Sequence, residues 1–150
     1  MELQDEVVIA APKDTVYRAL NDADVLAQCI PGCESLTQRS PTEFEGTIAL
    51  KFGPVKIKLG CDIVLDATGA PDAFSLTGQG SGGAAGHAKG GADVTLVERD
   101  GETVLTYQAK AEIGGRLAQL GARLIQSTSR KLAGDFFKAF SAHVSETGTA

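Results

Sequence analysis

The chain has 150 residues, 43% of them hydrophobic and 22% charged, which suits one soluble domain with its own core. Its net charge of −5 argues against nucleic acid as a partner, because neutralising phosphates needs a basic surface. No apolar run approaches the roughly 20 residues of a membrane span, and the acidic N-terminus lacks a signal-peptide pattern. Three cysteines fit reduced thiols better than a disulfide framework. We therefore expect a single cytoplasmic domain over residues 1–150.

The first third of the chain predicts one strand and two short helices. Val7-Val8-Ile9 is typical of a strand core, and Pro12 is typical of the first turn of a helix. Asn21 and Asp22 can end that helix and cap a second one through Cys29. Ile30-Pro31-Gly32 then stops the second helix, because proline cannot continue it.

The middle of the chain alternates between apolar and polar residues, which indicates strands with one buried face. The alternation runs from Phe44 to Phe52, turns at Gly53-Pro54, and continues from Val55 to Leu65. Arg99-Asp100-Gly101-Glu102 is typical of a hairpin turn. The strand after it places Tyr107 on the buried face. We count about six antiparallel strands after the two helices.

The end of the chain changes to a helical period after Gly114-Gly115. Apolar residues recur at three- and four-residue steps from Leu117 to about Val144, which predicts one long helix. The tail from Ser145 to Ala150 is expected to be disordered. A sheet with one apolar face needs a cover, so the predicted fold is α+β, an antiparallel sheet packed on this helix.

Glycine is concentrated in one stretch: seven of the fourteen residues from Gly78 to Gly91 are Gly. Extending the alternation back from Val94 puts small residues on the inner face there and on the next strand, namely Ala88, Gly90, Ala92, Ala109 and Ala111. They lie where the long helix should cross, near Gly121. Either the helix packs closely on a bent strand or an apolar pocket remains, and we favour the pocket, which implies an apolar ligand.

The predicted ligand-binding residues are those that face this space from the sheet and the helix: Ile48, Leu50, Leu59, Cys61, Ile63, Leu76, Ala88, Gly90, Ala92, Val94, Tyr107, Ala109, Ala111, Leu117, Leu120, Gly121, Leu124 and Thr128. Ile30, Pro31 and Gly32 are expected at the rim of the cavity.

No catalytic set is evident, since neither a Ser–His–Asp order nor a pair of inward carboxylates is present. Tyr107 is the one inward residue with a polar tip, so it could hydrogen-bond a ligand, act as an acid, or simply pack in the core. His87 is expected to point outward. Cys29 and Cys33 lack the further ligands that structural zinc needs, and we expect no metal. The glycine-rich stretch has no phosphate-loop pattern.

The long helix is basic. Between Arg116 and Val144 it carries five Lys or Arg residues against only Asp135. Arg116, Arg123 and Arg130 are seven residues apart, which places them on one stripe of a helix. The stripe is either a solvated face or a docking surface for an acidic partner or an anionic membrane.

Three segments together resemble the CoxG family of carbon monoxide dehydrogenase subunits, within the START-like (SRPBCC) helix-grip superfamily. They are Ile30-Pro31-Gly32-Cys33-Glu34-Ser35-Leu36, the stretch from Gly78 to Leu96, and Gly114-Gly115-Arg116-Leu117-Ala118-Gln119-Leu120-Gly121. The resemblance covers essentially the whole chain.

The resemblance implies a seven-stranded sheet wrapped around the C-terminal helix, with a ligand cavity between them. It also implies an accessory role beside a molybdenum-containing hydroxylase, with a quinone-like lipid as ligand and no covalently bound cofactor. Family members are associated with membrane attachment, which would place the protein at the inner face of the membrane. The C-terminal extension that some of them carry is not matched here.

Two alternatives to a carrier stay open at this point. The superfamily architecture also hosts cyclases and hydrolases, so the chain could be an enzyme acting on a hydrophobic substrate in the same cavity. It could also be a structural accessory protein whose cavity has collapsed.

Overall fold

The computed structural model describes residues 1–148, which form one antiparallel sheet and three helices. The strands are β1 (Glu2–Ile9), β2 (Cys33–Ser40), β3 (Glu43–Phe52), β4 (Val55–Asp66), β5 (Ala73–Ser81), β6 (His87–Arg99) and β7 (Glu102–Gly114). The helices are α1 (Lys13–Leu20), α2 (Ala23–Cys29) and α3 (Ala122–Gly148), with short 3-10 segments at Gly83–Ala85 and Gly115–Leu120.

The seven strands pair in the order β1-β7-β6-β5-β4-β3-β2, and every pair is antiparallel. Both predicted turns are confirmed. Gly53 adopts φ +61 between β3 and β4, and Asp100 and Gly101 adopt φ +54 and +81 between β6 and β7. Positive φ at two successive residues is the geometry of a tight hairpin that follows the twist of its strands.

The second short helix begins where the sequence predicts, and the first begins one residue later, at Lys13, with Pro12 as its N-cap. Asp22 caps α2, because its carboxylate accepts hydrogen bonds from the backbone N–H groups of Asp24 and Val25 at 2.9 and 3.4 Å. After α2 the chain turns sharply at Gly32, whose φ is +78. A Cβ there would lie within 1.9 Å of the Ala49 carbonyl oxygen, so only glycine fits this turn against β3.

The long helix starts later than the sequence predicts. Leu117 and Leu120 lie in the 3-10 segment after β7, and Gly121, with φ +94, separates that segment from α3. The apolar spacing of three and four residues suits both helix types, which is why the periodicity missed the break. α3 continues to Gly148, so it includes the first residues of the predicted tail, whose last two residues lie outside the described residues.

The apolar core divides into two clusters at opposite ends of the sheet. At the capped end, α1, α2 and the C-terminal half of α3 bury Ile9, Val16, Leu105, Phe140 and Val144 almost completely. At the loop end, which carries the β3–β4 turn, the β5–β6 loop and the β7–α3 connection, a smaller cluster comprises Phe52, Ile57, Leu59 and Leu117.

Candidate functional site

A cavity lies between the two clusters, under the middle of α3. Its volume is about 1020 Å³, and its walls come from β1, β5, β6, β7 and the α3 segment 130–141. Small-molecule sites usually measure about 300–1,000 Å³, so there is room for a large ligand. The cavity is deep on the sheet side because Ala92 and Ala109, which pair with each other across β6 and β7, have small side chains.

Two aromatic rings form the apolar wall of the cavity. Tyr107 from β7 stacks on Phe137 from α3, with ring centroids 5.4 Å apart and planes 21° apart. Leu76 and Val7 extend the same lining on either side. Stacked rings offer a flat apolar surface, which suits a planar or chain-like apolar ligand better than a compact polar one.

The polar tip of this wall is the Tyr107 hydroxyl. Burial raises the pKa of Tyr107, and the negative charge of Asp5, its partner residue on β1, raises it further. The hydroxyl therefore stays protonated at neutral pH and can donate a hydrogen bond to a ligand oxygen. Asp5 is an acidic residue on an otherwise apolar inner face, where β1 also places Leu3 and Val7.

Gly134 opens the helix side of the cavity. A Cβ built on it would have nothing within 4 Å, so no close packing requires glycine there. Glycine in a helix interior costs about 1 kcal/mol of helix stability relative to alanine. Gly134 thus lowers the stability of α3, and it leaves space for the cavity. Arg130 and Lys138 line the cavity one turn to either side of it.

The helix spans the cavity because it is fixed on both sides of Gly134. Toward the loop end, the Gln126 side chain donates a hydrogen bond from Nε2 to the Glu2 carbonyl oxygen at 2.8 Å. Toward the capped end, Phe140 and Val144 are fully buried in the larger cluster. Between these two points α3 contacts the sheet through the Phe137–Tyr107 stack, and the cavity is the space beside that stack.

The structure brings four of the sequence-predicted binding residues into the lining of this cavity: Leu76, Ala92, Tyr107 and Ala109. Other predicted residues belong to the core clusters or pack against them, namely Val94 at the capped end and Leu50, Leu59, Cys61, Leu117, Leu120 and Leu124 at the loop end. Ile48, Ile63, Ala88 and Thr128 are half-buried outside the lining.

Gly90 and Gly121 were predicted to line the cavity, but neither does so. A Cβ on Gly90 would lie 2.3 Å from the Lys110 carbonyl oxygen, so β6 and β7 approach too closely there for a side chain. Gly90 and Ala111 border a separate groove of about 610 Å³ that also reaches outward-facing residues of the sheet. Gly121 is exposed in the turn before α3 and does not line the cavity.

The predicted rim and docking residues are also placed differently. Ile30 and Pro31 are half-buried at the end of α2, and Gly32 is pinned to β3 by a hydrogen bond from the Ala49 N–H to its carbonyl oxygen at 2.8 Å. None of the three lines the cavity. Arg116 lies in the 3-10 segment, so only Arg123 and Arg130 remain on one stripe of α3, and Arg130 also lines the cavity.

Sequence reasoning missed the residues that α3 and β1 contribute to the lining. They are Glu2, Leu3, Gln4, Asp5 and Val7 from β1 and Ala133, Gly134, Phe137, Lys138 and Ser141 from α3. The other strands add residues that were not predicted either: Ser75, Thr77, Gly91, Asp93, Gln108 and Lys110. The alternation of Leu3, Asp5 and Val7, and the helical spacing of Arg130, Gly134, Phe137 and Ser141, are the signals that could have identified them.

The three cysteines are free thiols. Burial raises the pKa of each of them, so all three are less reactive than an exposed cysteine. In the part of the chain that the structure describes, no helix is both long enough and apolar enough to cross a membrane.

Several solved structures share this fold. A conserved protein from Geobacillus kaustophilus is 26% identical, with a TM-score of 0.90 over 98% of this chain and 97% of that one. A STAR-related lipid transfer protein from Xanthomonas axonopodis is 21% identical, with a TM-score of 0.61 over 95% and 85%. The Zhui aromatase/cyclase from a Streptomyces species is 13% identical, with a TM-score of 0.71 over 96% and 93%. No curated protein matches the chain.

These neighbours confirm the START-like fold that the sequence predicts. The family model described as the carbon monoxide dehydrogenase subunit CoxG matches residues 6–145. That match covers both core clusters, the glycine-rich strands and nearly all of α3. The chain belongs to the CoxG family.

Proposed function

We propose that this protein is a non-catalytic carrier that holds an apolar small molecule between the sheet and α3. The observation that carries the proposal is the cavity of about 1020 Å³ walled by Leu76, Ala92, Ala109 and the stacked Tyr107 and Phe137 rings. The lining combines this apolar wall with polar and charged residues, among them Asp5, Arg130 and Lys138, so the site fits an amphipathic, lipid-like ligand with an apolar body and a polar group. The likeness to a lipid transfer protein supports the same class of ligand.

The ligand we propose is a quinone-like or isoprenoid lipid. Its ring would lie against the Tyr107–Phe137 stack, and a ring carbonyl would accept a hydrogen bond from the Tyr107 hydroxyl. A tyrosine hydroxyl is protonated at neutral pH, and the raised pKa of Tyr107 extends that range further upward. The isoprenoid tail would follow the apolar lining, and the space above Gly134 would admit it. This arrangement uses no covalently bound cofactor.

Family membership supports the proposed partner, a molybdenum-containing hydroxylase of the carbon monoxide dehydrogenase type. The carrier would recruit that enzyme to the membrane or deliver quinone to it, at the inner face of the membrane. Pull-down with the purified hydroxylase tests this part of the proposal. Retention of the enzyme by the tagged carrier supports it, and no retention with or without quinone contradicts it.

The ligand itself is tested by organic extraction of the purified protein with mass spectrometry, and by thermal melts with a short-chain ubiquinone analogue. A hundredfold excess over Kd should raise Tm by about 5–10 °C for a domain of this size. Protein that yields no extractable lipid and shows no shift with quinone would contradict the carrier function.

A matched pair of variants localises the binding. Gly134→Leu places a side chain in the cavity and should abolish the quinone-induced shift in Tm, because the lining position has open space that leucine fills. Ala142→Leu adds the same side chain at an exposed position of α3 outside the lining and should leave the shift unchanged. Equal shifts in both variants would mean that quinone binds elsewhere.

An enzyme is the second candidate, favoured by one observation. A protonated tyrosine that faces a cavity can act as a general acid, and a cyclase shares the fold. A Tyr107→Phe variant separates the two functions, because it removes the acid but keeps the stack on Phe137. Loss of turnover of a polyketide-like substrate with retained binding supports an enzyme. No turnover by either protein, with quinone affinity lowered about two- to ten-fold by loss of the hydrogen bond, supports the carrier.

A further inference from the structure

Basic residues dominate the loop end of the molecule. The three segments that build it, residues 46–61, 79–92 and 113–129, contain six Lys or Arg residues and no Asp or Glu. The rest of the chain contains eight Lys or Arg residues and nineteen Asp or Glu. Glu34, which pairs with Lys58, and Glu112, which lies opposite Lys89, border this end. A chain that is acidic overall thus has one end with a net positive charge.

These segments meet in space. Gly60 pairs with Ser81 at the ends of β4 and β5, and His87 pairs with Gly114 at the ends of β6 and β7. A Cβ on Gly53 would lie 3.9 Å from the Leu124 side chain, so the β3–β4 turn adjoins the start of α3. The three connections therefore form one continuous surface.

Most of the positive charges on this surface are uncompensated. Lys58 pairs with Glu34 from β2 at 2.9 Å. Across the described residues, the other basic side chains of the β3–β4 hairpin and the β7–α3 connection form no ion pair: Lys51, Lys56, Arg116 and Arg123. Lys51 and Lys56 lie directly opposite each other on β3 and β4, where like charges destabilise a sheet. A local cost of this kind is typical of a functional surface.

The tips of the loops are small or apolar. Val55 is 38% exposed at the β3–β4 turn, next to exposed Pro54. Ala84 in the β5–β6 loop and Ala118 in the β7–α3 connection are also exposed. Basic side chains around apolar tips fit a bilayer interface, because the tips enter the headgroup layer while the cations contact anionic lipids. An acidic protein surface would match the cations but not the apolar tips.

We propose that the loop end docks on an anionic phospholipid surface, with the β3–β4 hairpin and the β7–α3 connection as its contacts. The inference rests on the proposed carrier function in one respect, that the membrane is the source of the carried lipid. The acidic capped end is repelled by the same surface, so the charge distribution orients the molecule with its three loops on the lipid.

The test is co-sedimentation of ligand-free full-length protein with vesicles of equal parts phosphatidylglycerol and phosphatidylcholine, at low and high salt. Lys51→Gln/Lys56→Gln should lower the partition coefficient at least about ten-fold, since each basic residue near an anionic bilayer contributes measurably to binding. Arg18→Gln/Arg99→Gln removes the same charge from exposed positions away from the loop end and should change partitioning less than about two-fold. High salt should release the native protein.

Two results would overturn the proposal. One is no binding of the native protein to the anionic vesicles at low salt, and the other is an equal loss of binding in both double variants. Stronger binding to soluble polyglutamate than to vesicles would identify an acidic protein as the partner instead. Quinone-induced stabilisation in solution should be the same in all these variants, so a failure of docking is distinguishable from a failure of the carrier function.

Discussion

The capped end and the loop end are built from the same sheet and the same helix, yet they differ in almost every physical respect. Twelve buried residues form the cluster at the capped end, and Ile9, Val16, Phe140 and Val144 there have no solvent exposure. The cluster at the loop end has four buried residues and is surrounded by glycine turns and basic side chains. The difference indicates that one end supplies the stability of the fold and the other is left free to make contacts.

The largest expected effect tests that difference directly with the same substitution at both ends. Phe140→Ala should lower the free energy of unfolding by about 3–5 kcal/mol, because the surrounding side chains are too fully packed to close the cavity it leaves. Phe52→Ala, in the loop-end cluster, should cost about 1–2 kcal/mol less, because the nearby turns can relax into the space. Urea unfolding monitored by circular dichroism measures both, and equal losses would contradict the comparison.

The second expected effect concerns the buried hydroxyl at the capped end. Thr103 has no exposed surface, and its Oγ1 donates a hydrogen bond to the Ala11 carbonyl oxygen at 2.7 Å. Thr103→Val keeps the shape but leaves that carbonyl without its donor, which should cost about 1–3 kcal/mol. Thr106→Val, on the same strand and only half-buried, is the control and should change stability by less than about 0.5 kcal/mol.

At the loop end a substitution should act in the opposite direction. Lys51→Gln/Lys56→Gln removes the like charges that face each other across β3 and β4. It should raise the free energy of unfolding by about 0.2–1 kcal/mol at low ionic strength, and the gain should shrink in salt. A thermal melt at two salt concentrations is sufficient. A lower Tm in the variant would mean that the pair is not repulsive in the folded protein.

The smallest effect is kinetic and compares one thiol from each cluster. Burial raises the pKa of both Cys29 at the capped end and Cys61 beside the loop-end cluster. Because the thiolate is the reactive form, both should react with iodoacetamide more slowly than a free thiol at pH 7.5, and faster as the pH rises above about 9. Cys29 should be the slower of the two, because it is only 4% exposed whereas Cys61 is half-buried. Mass spectrometry of peptides from timed alkylation measures the order of labelling. Faster labelling of Cys29 would contradict the view that the capped end is the more tightly packed of the two.

These raised pKa values also set the sign of a pH effect on stability. Deprotonation is easier in the unfolded chain than in the folded one, so the unfolded state binds fewer protons once the pH passes the ordinary thiol pKa. Stability should therefore fall as the pH rises through about 8.5 and above. A Cys29→Ala/Cys61→Ala variant should show a flatter profile in that range.

The sequence was sufficient for the sheet, because alternation from Phe44 to Leu65 depends only on which face is buried. It was sufficient for the cap at Asp22, which is a local hydrogen-bonding pattern. It could not place the start of α3, since Leu117, Leu120 and Leu124 repeat with a spacing that two helix types share. That distinction depends on the positive φ of Gly121, which apolar spacing does not reveal.

The candidate site was predicted in part for a similar reason. Leu76, Ala92, Tyr107 and Ala109 follow from alternation alone, and they line the cavity. Gly134 could not be identified, because a single glycine in a helix indicates only a loss of helix propensity until the opposite wall is known. Asp5 was missed because its meaning depends on pairing with Tyr107 more than a hundred residues later.

The way α3 is held has a mechanical consequence. Helix α3 is fixed at two places, by the Gln126 hydrogen bond to Glu2 on one side of the cavity and by the buried Phe140 and Val144 side chains on the other. Because these contacts set the distance between α3 and the sheet, the cavity between them does not require a bound ligand to stay open. Substitutions of the lining residues would therefore change which molecule fits the cavity. Substitutions of Gln126, Phe140 or Val144 would change whether the cavity forms at all.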